Sequence, residues 1–301
     1  MDAANEVGTF KSQVNGSWFR VLRGPDARTT FASAVCGDAL LAQGQEGCRI
    51  CTACATAKPS SCSASAREHY ERLLPDLEPV PLPLGWTVHG AGDREKYLYF
   101  LTAGIVSRFY VTESGASAES AVTGSEGVIG VASFLGGEST PSQAVVLSAG
   151  YAYRLGTNLL SNEHDGPLPH LLLRYTQALI AQTGQIAVCN RHHSLEQRLC
   201  RWILSCLDRL PSNELTMTQE LIADMLGVRR VGVTRAAGKL QRAGLIHASR
   251  GHIAVLDRPQ LEAQACECYA VVKREYERLL PLENAIGSAG MHGRCRQYRT
   301  D

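Results

Sequence analysis

The sequence predicts an α+β chain in which a β-roll of jelly-roll type is followed by one long helix and then by a helical unit carrying a small hairpin. Three observations predict it. Residues 80 to 156 are short β-branched and aromatic runs punctuated by glycines at 85, 90, 92, 104, 115, 124, 127, 130, 136, 137 and 150. From Leu168 to Cys189, core-compatible residues recur in alternating steps of four and three. From Thr216 to Leu256, two helical patterns are followed by two short strand patterns.

The first 47 residues show no sustained periodicity, and residues 1 to 62 are read as a cysteine-rich extension. Within it lies CRICTACATAKPSSC, a C-x2-C-x2-C-x7-C arrangement of Cys48, Cys51, Cys54 and Cys62. Such close spacing lets neighbouring thiolates converge on one ion or cluster. Spacing does not identify the metal, so an iron–sulfur cluster, zinc and a set of free thiols all remain open, with Cys36 as an alternative fourth ligand. SASAREHYERLL, residues 63 to 74, has helical amphipathicity and stops at Pro75. It opens the roll domain, residues 63 to 163, whose runs KYLYFLTAGIVSRFYVT and AVVLSAGYAYRL favour strands.

Residues 164 to 190 form the predicted dimerisation helix. Its heptad seam is Leu168, Leu172, Tyr175, Leu179, Gln182 and Ile186, extended by Cys189, with Gln182 as a register device; three heptads are the lower limit for a coiled coil, and the alternative is a helix packed on its own roll. A shorter amphipathic helix, SLEQRLCRWILSCLDRL, follows and ends at Pro211; its Cys200 and Cys206 are read as small core fillers. Thr218 is an N-cap for a helix bearing Leu221, Ile222, Met225 and Leu226, and Gly227 ends it. A second helix, about Arg229 to Ala243, turns Val233, Ala236, Ala237 and Leu240 inward and stops at Gly244. Leu245-Ile246 and Ile253-Ala254-Val255 are strands closed by a turn at Arg250-Gly251. The unit, residues 191 to 281, is a helix-turn-helix with a wing. RPQLEAQACECYAVVKREYERLL reads as one further helix, on which Cys266 and Cys268, two apart, would point to different faces and serve poorly as joint ligands. Residues 282 to 301 are expected to be a disordered tail.

Charge is distributed with the same logic. The chain of 301 residues has a net charge of +1, but residues 1 to 163 carry 12 basic and 16 acidic side chains while 190 to 301 carry 17 and 12. Between Thr216 and Ile253 six basic residues face two acidic ones. A positive winged helix suits double-stranded DNA, with the second helix in the major groove. The candidate contact residues are Thr218, Gln219, Arg229, Arg230, Val231, Thr234, Arg235, Lys239 and Arg250. An enzyme is not expected: His192 and His193 are the only concentrated catalytic candidates, and no serine or acidic motif accompanies them. No apolar stretch of membrane-spanning length and no signal-peptide core are present, so a cytoplasmic location is expected.

The stretch from Cys189 to Leu280, with CNRHHSLEQRLCRWILSCLDRL, LTMTQELIADMLGVRR and ACECYAVVKREYERLL, resembles the carboxyl-terminal half of regulators of the Crp/Fnr superfamily, and the likeness extends over roughly Ala66 to Pro281. The resemblance implies a β-roll sensor, a dimerisation helix and a winged helix-turn-helix in that order, a homodimer on a palindromic site, and RNA polymerase as a partner. It implies that Arg230, Thr234 and Arg235 occupy the exposed early positions of the recognition helix, with Val231 where many relatives carry a glutamate. Oxygen-sensing members hold an iron–sulfur cluster on cysteines just before the roll, with one more ligand inside it. Here the roll has no cysteine, so a 4Fe-4S cluster would need Cys62 or Cys36. Cyclic AMP is not an expected ligand, because Ser142-Gln143 stands where the family's phosphate-binding arginine-serine pair would fall.

Overall fold

The computed structural model describes residues 13–14, 17–18, 72–162, 167–249 and 251–280. Cys36, Cys48, Cys51, Cys54, Cys62, Arg250, the expected helix over 63 to 71 and the tail 282 to 301 lie outside the described residues.

The roll is antiparallel. Its strands are β1 (Glu78–Leu82), β2 (Thr87–His89), β3 (Tyr97–Val111), β4 (Ser117–Thr123), β5 (Val128–Ile129) and β6 (Gln143–Gly156). The main sheet runs β1-β6-β3-β4, with β2 on β6 and β5 on β3. Strands β3 and β6 are too long to stay straight, and their register shifts three times between Leu101 and Val106. Two glycines permit the bend. Gly104 has φ +89 and a Cβ there would lie 2.6 Å from the Ser148 carbonyl oxygen, while a Cβ on Gly150 would meet the Ala103 carbonyl oxygen at 2.0 Å. The turn at Gly115, φ +82, joins β3 to β4. A four-residue helix, α1 (Val131–Phe134), follows β5.

Helix α2 (Pro167–His192) crosses the roll. The structure corrects the seam read from sequence. Leu168, Leu172, Tyr175, Leu179, Gln182 and Ile186 are all buried inside the chain, and the first four share a core with roll residues such as Leu98, Phe100, Ala121 and Val128 and with the last helix. Gln182 is likewise an internal anchor: its Nε2 donates to the Val122 carbonyl at 3.2 Å and its Oε1 accepts from Tyr276 Oη at 2.9 Å. Heptad spacing reports which face is buried, and here the roll buries it. The large exposed apolar residues of α2 are Leu173, Ile180 and Val188, on the opposite face.

The remaining elements are α3 (Leu195–Leu207), β7 (Glu214–Thr216), α4 (Gln219–Leu226), α5 (Arg230–Arg242), β8 (Ile246–Ser249), β9 (His252–Val255), α6 (Arg258–Gln264) and α7 (Cys268–Leu279). Ser194 and Gln197 make a capping box that starts α3. Helix α3 is the centre of the largest core, where Trp202, Ile203 and Cys206 contact roll residues Ile105, Phe109 and Val122 as well as α4, α5 and the wing. Roll and helical unit therefore share one apolar interior. The single helix expected after the wing is two: Ala265, extended at ψ 156, breaks it between α6 and α7, so Cys266 precedes a helix rather than riding on one.

Candidate nucleic-acid interface

Thr218 caps α4 as expected, its Oγ1 accepting from Leu221 N at 3.2 Å, and Gly227 ends the helix at φ 63, ψ 42. That left-handed residue turns the chain so that α5 begins three residues on, while Val233, Ala236, Ala237 and Leu240 seat its inner face in the core. Anchoring one face leaves the other uncovered: Arg229, Arg230, Val231, Thr234 and Arg235 are all exposed, Val231 to 63%. Arg230 and Thr234, and Val231 and Arg235, are four apart, so they form two adjacent rows on the first turns of the helix. Among the described residues, Arg229, Arg230 and Arg235 enter no salt bridge, and α5 itself carries no carboxylate; Glu196 of α3 lies close enough to feel the charge of Arg235. An exposed apolar Val231 flanked by three guanidinium groups is a poor protein core and a good groove surface.

Three predicted contact residues, Gln219, Thr234 and Lys239, are tied inside the protein. Gln219 Oε1 accepts from Thr234 Oγ1 at 2.6 Å, which links the two helices of the motif and fixes the Gln219 side chain over the start of α5. Lys239 pairs with Glu196 of α3, which holds the Glu196 carboxyl below the usual range. Lys239 is therefore a brace between helices as well as a surface cation. Sequence reasoning missed Glu196 because nothing in the spacing joins residues 43 apart.

The wing is larger than the sequence suggested. Strand β7 adds to β9 outside the expected hairpin, giving the order β8-β9-β7, with Leu215 opposite Ile253. The turn residue Gly251 has φ +85, which suits a tight turn beside the Arg250 position. Thr216 Oγ1 lies 3.3 Å from His252 Nδ1 and closes the outer edge. The three strands hold the wing tip on the same side as the start of α4.

In the roll, the segment that follows β5 is filled from within. Glu95 is buried, and its Oε2 accepts from the backbone N of Ala132 at 2.7 Å, at the start of α1. His89 Nε2 lies 3.3 Å from the other oxygen of that carboxyl, and burial pushes the His89 pKa down. Arg94, the nearest guanidinium in sequence, is exposed and paired with Glu138 at 2.8 Å.

Comparison with known proteins agrees with these parts. A Crp-like helix-turn-helix domain matches residues 197–264, and a cyclic nucleotide-binding domain matches residues 79–162. Electron transport regulator A of Shewanella oneidensis is 23% identical over 230 residues, covering 72% of this chain and 90% of that protein. The fumarate and nitrate reduction regulatory protein of Escherichia coli is 24% identical over 187 residues, covering 58% and 73%. Among solved structures, FixK2 of Bradyrhizobium japonicum superposes with TM-score 0.56 at 17% identity, covering 63% of this chain and 98% of that one. A CRP-family transcriptional regulator of Thermus thermophilus superposes with TM-score 0.54 at 21% identity, covering 62% and 96%. These two are likenesses of fold. Among the described residues, no helix is long and apolar enough to cross a membrane. With a nucleotide-binding-type roll and a Crp-like helix-turn-helix joined through one core and one long helix, the chain belongs to the Crp/Fnr superfamily of transcription regulators.

Proposed function

We propose that the chain acts as a homodimer, reads a palindromic DNA site through Arg230, Thr234 and Arg235, and changes its affinity for that site when an iron–sulfur cluster on Cys48, Cys51, Cys54 and Cys62 is gained or lost. The observation that carries the DNA reading is the uncovered outer face of α5, a helix without a carboxylate whose Arg229, Arg230 and Arg235 enter no salt bridge among the described residues. Arginine donates two hydrogen bonds to a guanine edge, and Val231 offers a methyl contact where a glutamate would accept from cytosine. Thr218, Gln219, Arg229, Lys239 and Arg250 would bind phosphates and hold the register. The two copies would meet along the exposed Leu173, Ile180 and Val188 row of α2. RNA polymerase is the further partner that family membership implies.

For the signal, the four clustered thiols and the likeness to proteins named as electron transport and fumarate and nitrate regulators favour redox input over cyclic AMP. A phosphate entering the roll would also meet the buried Glu95 carboxyl. A second reading, with an unidentified small molecule sensed by the roll and zinc or no metal on these cysteines, predicts no iron-dependent change. Mobility shift on a site selected from random DNA tests the first half. Arg235→Ala is expected to lose about 1–3 kcal/mol of binding free energy. Unchanged affinity would overturn the assignment. Anaerobic reconstitution with iron and sulfide tests the second half: visible absorption that disappears on changing Cys51 and Cys54 to Ser is expected, and a colourless product would refute it.

A further inference from the structure

Four metal-ligating side chains that are distant in sequence from the amino-terminal cysteines converge. Cys189 and His193 are four apart across the end of α2, where His193 N still bonds to the Cys189 carbonyl at 3.1 Å, so both face one side. Cys266 and Cys268 flank Glu267 in the break between α6 and α7. The four donor atoms all lie within 4.8 Å of one another, and the three thiols are buried. Cys189 Sγ and Cys266 Sγ are 3.5 Å apart, and Cys268 Sγ is 3.4 Å from His193 Nδ1.

We propose that Cys189, His193, Cys266 and Cys268 bind one tetrahedral divalent metal ion, best matched by zinc, which fastens the end of the long helix to the last helix of the DNA-binding unit. Metal bonds of about 2.3 Å to sulfur and 2.0–2.1 Å to nitrogen put ligand atoms at tetrahedron edges of roughly 3.5–3.8 Å. The observed separations already bracket that. An iron–sulfur cluster, with several irons and bridging sulfides between its ligands, holds its cysteine sulfurs farther apart, so this site is mononuclear. Three thiolates and one imidazole favour zinc over harder ions.

The surroundings are those of a ligating set. His193 Nε2 lies 3.3 Å from Glu267 Oε1, which holds the proton on Nε2 and leaves Nδ1 aimed at the sulfurs. Gln185 Nε2 donates to Cys268 Sγ at 3.1 Å. Cys189 also feels the positive charge of Arg201. Arg201 is buried and offsets the excess negative charge of three thiolates around a divalent ion. The break between α6 and α7 is braced independently, since Tyr269 Oη donates to Asp208 Oδ2 at 2.9 Å and Arg258 reaches both. Cys200 and Cys206 provide the contrast within the same molecule. Both are buried, and among the described residues neither belongs to a group of convergent metal-ligating side chains.

This inference stands apart from the amino-terminal cluster, and its test keeps the two separate. In the full chain carrying Ser at 36, 48, 51, 54 and 62, purified protein is expected to retain about one zinc per chain. Replacement by cobalt(II) is expected to give the intense visible d–d bands and the sulfur-to-cobalt charge transfer of a tetrahedral thiolate site. Cys266→Ser with Cys268→Ser should abolish both. Should that variant lose its helical circular dichroism, His193→Ala carries the test, because it removes a half-buried ligand and leaves the buried thiols in place. It should weaken cobalt binding at least about tenfold and shift the bands. Absence of metal from the variant lacking the amino-terminal thiols, a Cys189–Cys266 disulfide in place of metal under reducing purification, or cobalt spectra indifferent to these residues would overturn the proposal.

Discussion

Replacing Arg209 by Met should weaken the junction between roll and DNA-binding unit by about 3 kcal/mol, the lower end of what removing one partner from a buried pair costs. Arg209 Nε meets Glu126 Oε1 at 2.6 Å with each side chain only 9% exposed. Arg209 Nη1 also donates to the Ser205 carbonyl at 2.6 Å, and the guanidinium lies 5.6 Å from the Tyr276 ring. The arginine stem is closely packed, since a Cβ on Gly124 would already lie 2.7 Å from Arg209 Cγ. Methionine preserves the apolar stem but leaves the Glu126 carboxylate with the Gly124 amide, at 3.2 Å, as its remaining donor. Glu126→Gln strands the guanidinium in the same way. Their combination leaves no uncompensated charge, so it should cost about 1 kcal/mol or less, and the double-mutant cycle should show a coupling of roughly 2 kcal/mol or more. Urea unfolding followed through the fluorescence of the buried Trp202 measures all four proteins. Single variants losing under about 1 kcal/mol, or a double variant equal to the sum of the singles, would refute the reasoning that charge desolvation dominates this site.

Three further outcomes are expected. Ile180→Glu, on the exposed face of α2, should leave the fold intact and give a monomer by light scattering, whereas Leu179→Glu, on the buried face, should unfold the roll contact and lower the midpoint of thermal unfolding. Glu119 is buried beside Ser107 Oγ at 2.8 Å, and burial raises its pKa. The folded state then holds a proton more tightly than the unfolded chain, so stability falls as pH rises from the unfolded glutamate value, about 4.3, through the folded pKa. Glu119→Gln should be more stable than wild type at neutral pH and lack that decline in a series of urea titrations. Val231→Glu should change the preferred base at one position of each half-site, read by selection from random DNA, because a carboxylate accepts from cytosine where valine contacts a methyl.

Local rules were enough to place most of the helix-turn-helix from sequence. The Thr218 cap, the Gly227 stop, the inward set of Val233, Ala236, Ala237 and Leu240 and the glycine of the wing turn are decided by backbone geometry and by a 3.6-residue period, both written within a few residues. The glycine pattern likewise announced the roll, because bends such as that at Gly104 tolerate no Cβ. What the sequence could not decide was which surface each buried face meets. The seven-residue repeat of α2 correctly marks a buried stripe, yet only the tertiary structure assigns that stripe to the chain's own roll and leaves Leu173, Ile180 and Val188 outside. Periodicity carries no information about the partner. The same holds for Cys266 and Cys268, which a continuous helix would separate and which the extended Ala265 brings together. Their convergence with Cys189 and His193 depends on residues more than seventy positions apart, held by the packing of α7 along α2, and no spacing rule within one segment encodes it.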